Sequence, residues 1–330
     1  MKCFSLRLTG STPAAGLPFL LLYDFGSAIE RARGNSKRPL YALIASGVLN
    51  VLLNLLLVIV FHLGVAGVAI ATDISTAASA CVTLYWLSRE KGEFRFSLRY
   101  LCFQKDAVLG ILRIGIPAGV QSGVFCFANL FVQWAINRFG AAAVAGVTVS
   151  LNFEYLTYYM IMAFAQTATT FTSQNAAAGE QKRCRNILWI CLLQGFILSA
   201  LISTPTSLKY RYFAGIYSDD PAVIEMAGVR MRLLLFLTPI STFYEVPAGF
   251  LRGHGLSVLP AIETITGICI LRICWILFVL PSYQTLFMLF IVFPISWIVT
   301  TIMMWGSMGY LHHSLKYRPA GQTRVEAAKL

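Results

Sequence analysis

Charge is what this sequence has least of. Only 12% of its 330 residues are Asp, Glu, Lys or Arg, and 14 are acidic, whereas a soluble domain carries roughly 25% charged residues. A surface so poor in charge excludes an aqueous globular domain and, with it, an enzyme whose polar groups surround a water-filled cleft. Histidine is as scarce: there are 4, and His312 and His313 stand together near the C-terminus. No HExxH pattern and no nucleophile elbow occur, so neither a zinc hydrolase nor a serine hydrolase has its carriers, and the chain is not read as an enzyme. Eight cysteines are present without a CxxC pair or paired spacing. Cys81, Cys126, Cys191, Cys269 and Cys274 therefore read as small buried hydrophobes rather than disulfide or metal ligands, and no cofactor is indicated. The net charge of +12 falls between apolar runs and builds no single basic face, which excludes nucleic acid and makes the cytoplasmic membrane surface its partner.

What the sequence has in quantity is hydrocarbon. At 57% hydrophobic and mean hydropathy +0.70, it reads as an all-α integral membrane protein. About 20 apolar residues cross a bilayer core of about 30 Å. Nine stretches meet that: 12–30, 40–61, 65–88, 114–137, 141–173, 187–208, 231–250, 258–280 and 285–311, the last two parted by Pro281 to Gln284. Residues 1–92 form a first lobe of three spans, 93–113 a cytoplasmic linker that is partly an amphipathic surface helix, 114–312 a second lobe of six spans, and 313–330 a cytoplasmic tail. Lys and Arg crowd alternate loops, among them Arg31, Arg33, Lys37 and Arg38, then Lys182, Arg183 and Arg185, which places the C-terminus of this multi-pass protein in the cytoplasm of a cell membrane.

Residues 12 to 39 recur in register at 233 to 260: Pro18, Tyr23, Arg31, Gly34, Ser36 and Pro39 fall on Pro239, Tyr244, Arg252, Gly255, Ser257 and Pro260. A duplicated helix bundle is the build of many transporters, with the substrate path between copies. Two pseudo-symmetric lobes are expected, the first incomplete, because a full pair at this spacing needs about 442 residues. Small residues at spacing four, Gly115, Gly119 and Gly123, and again Gly67, Ala71, Ser75 and Ser79, read as packing seams.

A charge at mid-membrane costs about 2.5 to 3.5 kcal/mol on insertion scales, so each one needs a reason. Glu154 is the only charged residue between Arg138 and Glu180, set among Asn152, Tyr155, Thr157, Tyr158 and Tyr159. Burial disfavours the ionised form, the property of a proton carrier, and the surrounding oxygens could instead ligate sodium. The alternative is a structural carboxyl bonded to a neighbouring helix. Glu245, two residues before the helix-loosening Pro247, is the second cation-coupling candidate. Its repeat counterpart is Asp24, for which facing the cavity and simple interfacial hydration both stand; Asp73, beside Thr72 and Thr76, is similar. Arg272 is either half of a structural pair, with Glu245 or another helix's carboxylate, or part of the substrate path. Gln121, Asn129 and Gln133 lie on one side of a helix and, with Gln166 and the threonines after it, line a path or bond helices together.

The stretches LPFLLLYDFGSAIERARGNSKRPLYALIASGVLN, FHLGVAGVAIAT, IGIPAGVQSG and AFAQTATTFTSQNAAAGE resemble the multidrug and toxic compound extrusion (MATE) family. The resemblance implies twelve helices in two six-helix lobes, of which the nine spans are the fourth to twelfth, and export of organic cations and other drugs in exchange for protons or sodium. It also implies that Glu154 serves cation coupling. The pattern departs from the family at Glu30, Arg31 and Ala32 and at Ser173 to Ala177, and the first three helices have no counterpart here. The alternatives are a lipid-linked oligosaccharide flippase of the related fold, which would favour several inward Arg and Lys where the spans offer only Arg272, and a gene fragment without transport of its own.

Overall fold

The computed structural model describes residues 2–90, 95–96, 102 and 104–316, setting aside the side chains at 2–15, 107 and 310–316. Every regular element among them is helical: α1 (Lys2–Ala32), α2 (Lys37–Val60), α3 (Gly64–Arg89), α4 (Lys105–Asn137), α5 (Ala141–Ala177), α6 (Gln181–Leu208), the short α7 (Tyr210–Gly215), α8 (221–253), α9 (Val258–Ser282) and α10 (Leu286–Lys316). They form two compact units, residues 1–103 and 104–330. α4 begins at Lys105 and not at 114, because Asp106 complements the helix N-terminus and no breaker follows before Pro117, which the helix absorbs. Much of the rest of the linker expected at 93–113, and the tail from 317, lie outside the described residues.

Six helices, α2, α3, α4, α6, α9 and α10, are long and apolar enough to cross a membrane. The other long ones, α1, α5 and α8, carry Asp24, Glu154 and Glu245 within their apolar stretches. Helix exteriors are hydrocarbon: Val51, Leu193, Leu201, Ile302 and Phe278 are 57, 62, 67, 68 and 76% exposed. Such faces would aggregate in water, and lipid is the solvent they suit.

The 221-residue register seen in the sequence governs backbone geometry too. α1 ends with Gly34 at φ +84, Gly34 N donating to Arg31 O at 2.9 Å and Asn35 N to Glu30 O at 3.0 Å. α8 ends with Gly255 at φ +84, Gly255 N donating to Arg252 O at 2.9 Å and Leu256 N to Leu251 O at 3.0 Å. Both are Schellman ends, which need a residue that tolerates positive φ, and that is why glycine recurs there. α2 and α9 then start after Ser36 and Ser257, and each passes through a π-helical turn near its far end, Leu55–Val60 and Trp275–Val279.

The chemistry at the two turns differs. In the first unit Glu90 receives Arg33 Nη2 at 2.8 Å and also Arg38 Nη1, which reaches buried Glu30 Oε1 at 3.2 Å as well. In the second unit the positions matching Glu30, Arg38 and Glu90 are Leu251, Leu259 and Leu311. The glycine and serine stripe of α3 packs as expected of a seam: Ser46 Oγ of α2 donates to Ser75 O at 2.8 Å, and a Cβ on Gly67 would press on Leu57. Gly115, Gly119 and Gly123 do not, since nothing lies within 4 Å of the Cβ each lacks.

The core of the second unit is built by Val132, Ile136, Val147, Leu234, Ile268, Phe290 and Met304 from α4, α5, α8, α9 and α10. α5 and α8 run parallel and in close contact. A Cβ on Gly146 would strike Ala227 and Val223, one on Gly249 would strike Ala165 O, and one on Gly253 would strike Thr172. Three missing side chains thus hold two polar helices backbone to backbone along their length.

Two outcomes are expected. Gly249→Val should lower the thermal unfolding midpoint in detergent by an overpacking cost of about 1–3 kcal/mol, while Gly306→Ala, where a Cβ meets nothing within 4 Å, should not. The paired guanidinium groups of Arg33 and then Arg38 hold the Glu90 carboxyl down at about 2. The stabilisation this gives is complete above the ordinary carboxyl range and fades as pH falls toward 2. Hydrogen exchange around residues 33–37 should therefore accelerate below about pH 4, and Glu90→Gln should remove that acid dependence.

Candidate functional site

A cavity of about 230 Å³ opens within the second unit. α4 contributes Phe125, Asn129 and Gln133, α5 contributes Glu154, Tyr155 and Tyr158, and α8 contributes Arg230, Thr238, Ser241 and Tyr244; Arg272 comes from α9, Phe293 and Trp297 from α10. Asn129, Gln133 and Tyr155 are exposed and stand at its mouth, while Ser241, Tyr244 and both arginines are buried at its back.

Glu154 is not the lone charge its sequence neighbourhood suggests. Arg230 Nε donates to Glu154 Oε1 at 2.7 Å and Nη2 to Oε2 at 2.9 Å, a two-pronged pair that Ser150 Oγ supplements at 2.7 Å. The two side chains are only 4% and 15% exposed. The rings of Phe290 and Phe293 lie 4.9 and 5.2 Å from the Arg230 guanidinium. A carboxylate held at both oxygens by a permanent cation has its charge compensated within the protein. Glu154 thus has the cross-helix partner that its structural alternative requires, and it is not an isolated acid.

Arg230 is the residue that the spacing of apolar runs misses, because a span starting at 231 leaves it outside. The signal was present ten residues earlier. Asp220 caps α8, its Oδ1 accepting from Ala222 N at 2.9 Å, and Pro221 occupies the first helical turn. The helix therefore begins at 221 and carries Arg230 inward, to the edge of the π-helical turn Met231–Leu235.

Arg272 meets neither Glu245 nor Glu263. Its Nε donates to buried Ser296 Oγ at 3.1 Å, its guanidinium lies 4.0 Å from the centroid of Phe293, and no carboxylate comes within 4.0 Å of it among the described residues. It stands between two π-helical turns, Ile265–Ile270 and Trp275–Val279. Widened turns of this kind recur at functional sites because they re-aim a side chain that a regular helix would direct elsewhere.

Glu245 lies behind the cavity wall, 7% exposed, accepting from Tyr158 Oη at 3.1 Å. Of the other expected path residues, Asn129 and Gln133 do line the cavity, Gln133 Nε2 donating to Asn137 Oδ1 at 2.9 Å. Gln121 does not line it, and Gln166 is on an exposed face. Asp24 and Asp73 belong to the first unit: Asp24 is exposed, and Asp73 is half-buried where Gly16 leaves room for its carboxylate.

A family model described as MatE matches residues 117–277, the segment that supplies nearly all of this cavity. Over that segment the chain is similar to the MATE family. A second model, Lipid II flippase MurJ, matches residues 12–144. Among curated relatives, the probable multidrug resistance protein YoeA of Bacillus subtilis (strain 168) is 23% identical over 88% of this chain and 64% of its own length. The multidrug export protein MepA of Staphylococcus aureus (strain NCTC 8325 / PS 47) is 22% identical over 74% of this chain and 55% of its own. The chain thus spans between half and two-thirds of their length. Among solved structures, the outward-facing conformation of a multidrug resistance MATE family transporter of the MOP superfamily superposes with a TM-score of 0.85 at 19% identity, over 94% of this chain and 70% of the other. The crystal structure of MATE in complex with MaL6 gives 0.83 at 20%, over 91% and 69%. The all-helical membrane fold is therefore the MATE fold.

Removing one partner of a buried ion pair costs more than removing both. Arg230→Met should destabilise the chain by about 3 kcal/mol or more, and the double variant Arg230→Met with Glu154→Gln should recover most of that, measured by unfolding in detergent. Additive losses would mean that the pair is not coupled.

Proposed function

We propose that this chain works in the export of small amphipathic molecules across the cell membrane, its C-terminus in the cytoplasm, by antiport against protons or sodium through Glu245. The observation that carries the reading is the Glu245–Tyr158 contact at 3.1 Å: a buried carboxylate with no guanidinium within 4.0 Å among the described residues, joined to the cavity through the Tyr158 hydroxyl, with Tyr244, also on the cavity wall, beside it. Pro247, inside α8 two residues on, cannot donate to the helical ladder, so the backbone there is freer to rearrange when the carboxylate changes its ion. Tyr158 lines the cavity on one side and donates to Glu245 on the other, so a molecule bound there bears on the same hydroxyl. The relatives' names, multidrug resistance and multidrug export proteins, support the substrate class of small molecules. The organic cations expected from the sequence find no free carboxylate on the cavity wall, because Arg230 holds Glu154.

The energies suffice. A proton entering gains about 2.3 kcal/mol per 100 mV, and expelling a neutral solute against a tenfold gradient costs about 1.4 kcal/mol.

A flippase for lipid-linked oligosaccharides is the second reading, favoured by the match to the lipid II flippase model and by a second arginine in the cavity. Arg230 is committed to Glu154, however, which leaves Arg272 as one cation where a pyrophosphate asks for several.

Bacterial cells expressing the chain should accumulate less of some members of a panel of amphipathic drugs than vector controls. Glu245→Gln should return accumulation to the control level, while Tyr158→Phe should impair it partially. Undiminished export by Glu245→Gln would rule out the coupling role, and accumulation in wild type equal to the vector control would rule out export.

A further inference from the structure

Two guanidinium groups and one carboxylate line the cavity, and the carboxylate is already taken. Glu154 is bound through both oxygens by Arg230. Arg272, 4% exposed, is left with Ser296 Oγ on its Nε and the Phe293 ring on one face, and neither of its Nη groups has an acceptor among the described residues. A buried cation without a counter-ion is costly inside a bilayer, and two free terminal nitrogens in a plane are the fork that receives an oxyanion through paired, charge-assisted hydrogen bonds. Next to that fork the wall is aromatic, with Phe293 and Trp297 facing the same space as Phe125 and Tyr155.

The geometry points to an anion subsite: Arg272 receives the carboxylate or sulfonate of an aromatic amphiphile whose ring packs against Phe293 and Trp297. This rests on the export reading for its biological meaning and deepens it, since it makes the substrate an anion and not an organic cation. An organic cation in the same space would face Arg272 with no open carboxylate to offset the repulsion. The membrane potential adds to the case. Expelling a monoanion from an inside-negative cell is favoured by the potential, whereas expelling a cation is opposed by it.

The test uses the purified chain in detergent at low salt and two probes of matched shape and opposite charge, 2-naphthoate and 2-naphthylmethylammonium, titrated by calorimetry. Naphthoate should bind about tenfold or more tightly than the ammonium compound, Arg272→Met should lose that preference, and Arg272→Lys should keep part of it. Equal or tighter binding of the ammonium probe, unchanged naphthoate affinity in Arg272→Met, or binding of neither probe would each overturn the subsite. Should Arg272→Met fail to fold, the probe pair on the wild-type chain together with Arg272→Lys decides. Naphthoate binding in a protein that changes no drug accumulation would remove the export reading and leave the subsite standing. Reduced accumulation without naphthoate binding would do the reverse.

Discussion

The pair formed by Glu154 and Arg230 is the constraint on which the second unit depends. It joins α5 to α8 between the glycine contacts at Gly146 and at Gly249 and Gly253, so two helices that are each too polar to sit comfortably in lipid satisfy one another instead. Buried ion pairs add little net stability but penalise every arrangement in which one partner is left alone. The pair therefore fixes the register of α5 against α8, and that register brings Tyr158 to Glu245.

Once Arg230 neutralises Glu154, the character of the cavity is set by what remains. Arg272 stays cationic on the wall, and Glu245 stays acidic behind Tyr158. Both arginines share the ring of Phe293, at 5.2 Å and 4.0 Å, so the aromatic face offsets part of the cost of holding two positive charges in one apolar space. The π-helical turns next to Arg230 and on both sides of Arg272 permit this convergence, since helices of regular pitch would direct the same side chains elsewhere.

The two units reuse one backbone design for different work. Their helix ends, left-handed glycines and one π-helical turn correspond across 221 residues, yet the first unit places Glu30, Arg38 and Glu90 where the second has leucines. The first ties its turn with charge at the membrane edge. The second closes the same turn with apolar contact and keeps its charges for the cavity. Duplication preserved what the backbone requires and left the side chains free to diverge.

Solvent, helices and repeat were all legible in the residues alone, because each is a local or periodic property. Apolar runs of spanning length need lipid, and glycine at positions 34 and 255 is demanded by the same positive φ. The sequence also singled out Glu154, Glu245, Asn129, Gln133 and Arg272 as polar groups in apolar surroundings, and the structure brings all five to one cavity or to the residues behind its wall. What it could not reveal was pairing. Glu154 and Arg230 are 76 residues apart, and only the close approach of α5 and α8 turns a seemingly isolated acid into half of an ion pair, while the nearer carboxylates that might have met Arg272 point elsewhere. Charge in the cavity is thus a property of helix packing, since whether a buried group is compensated depends on neighbours from other helices.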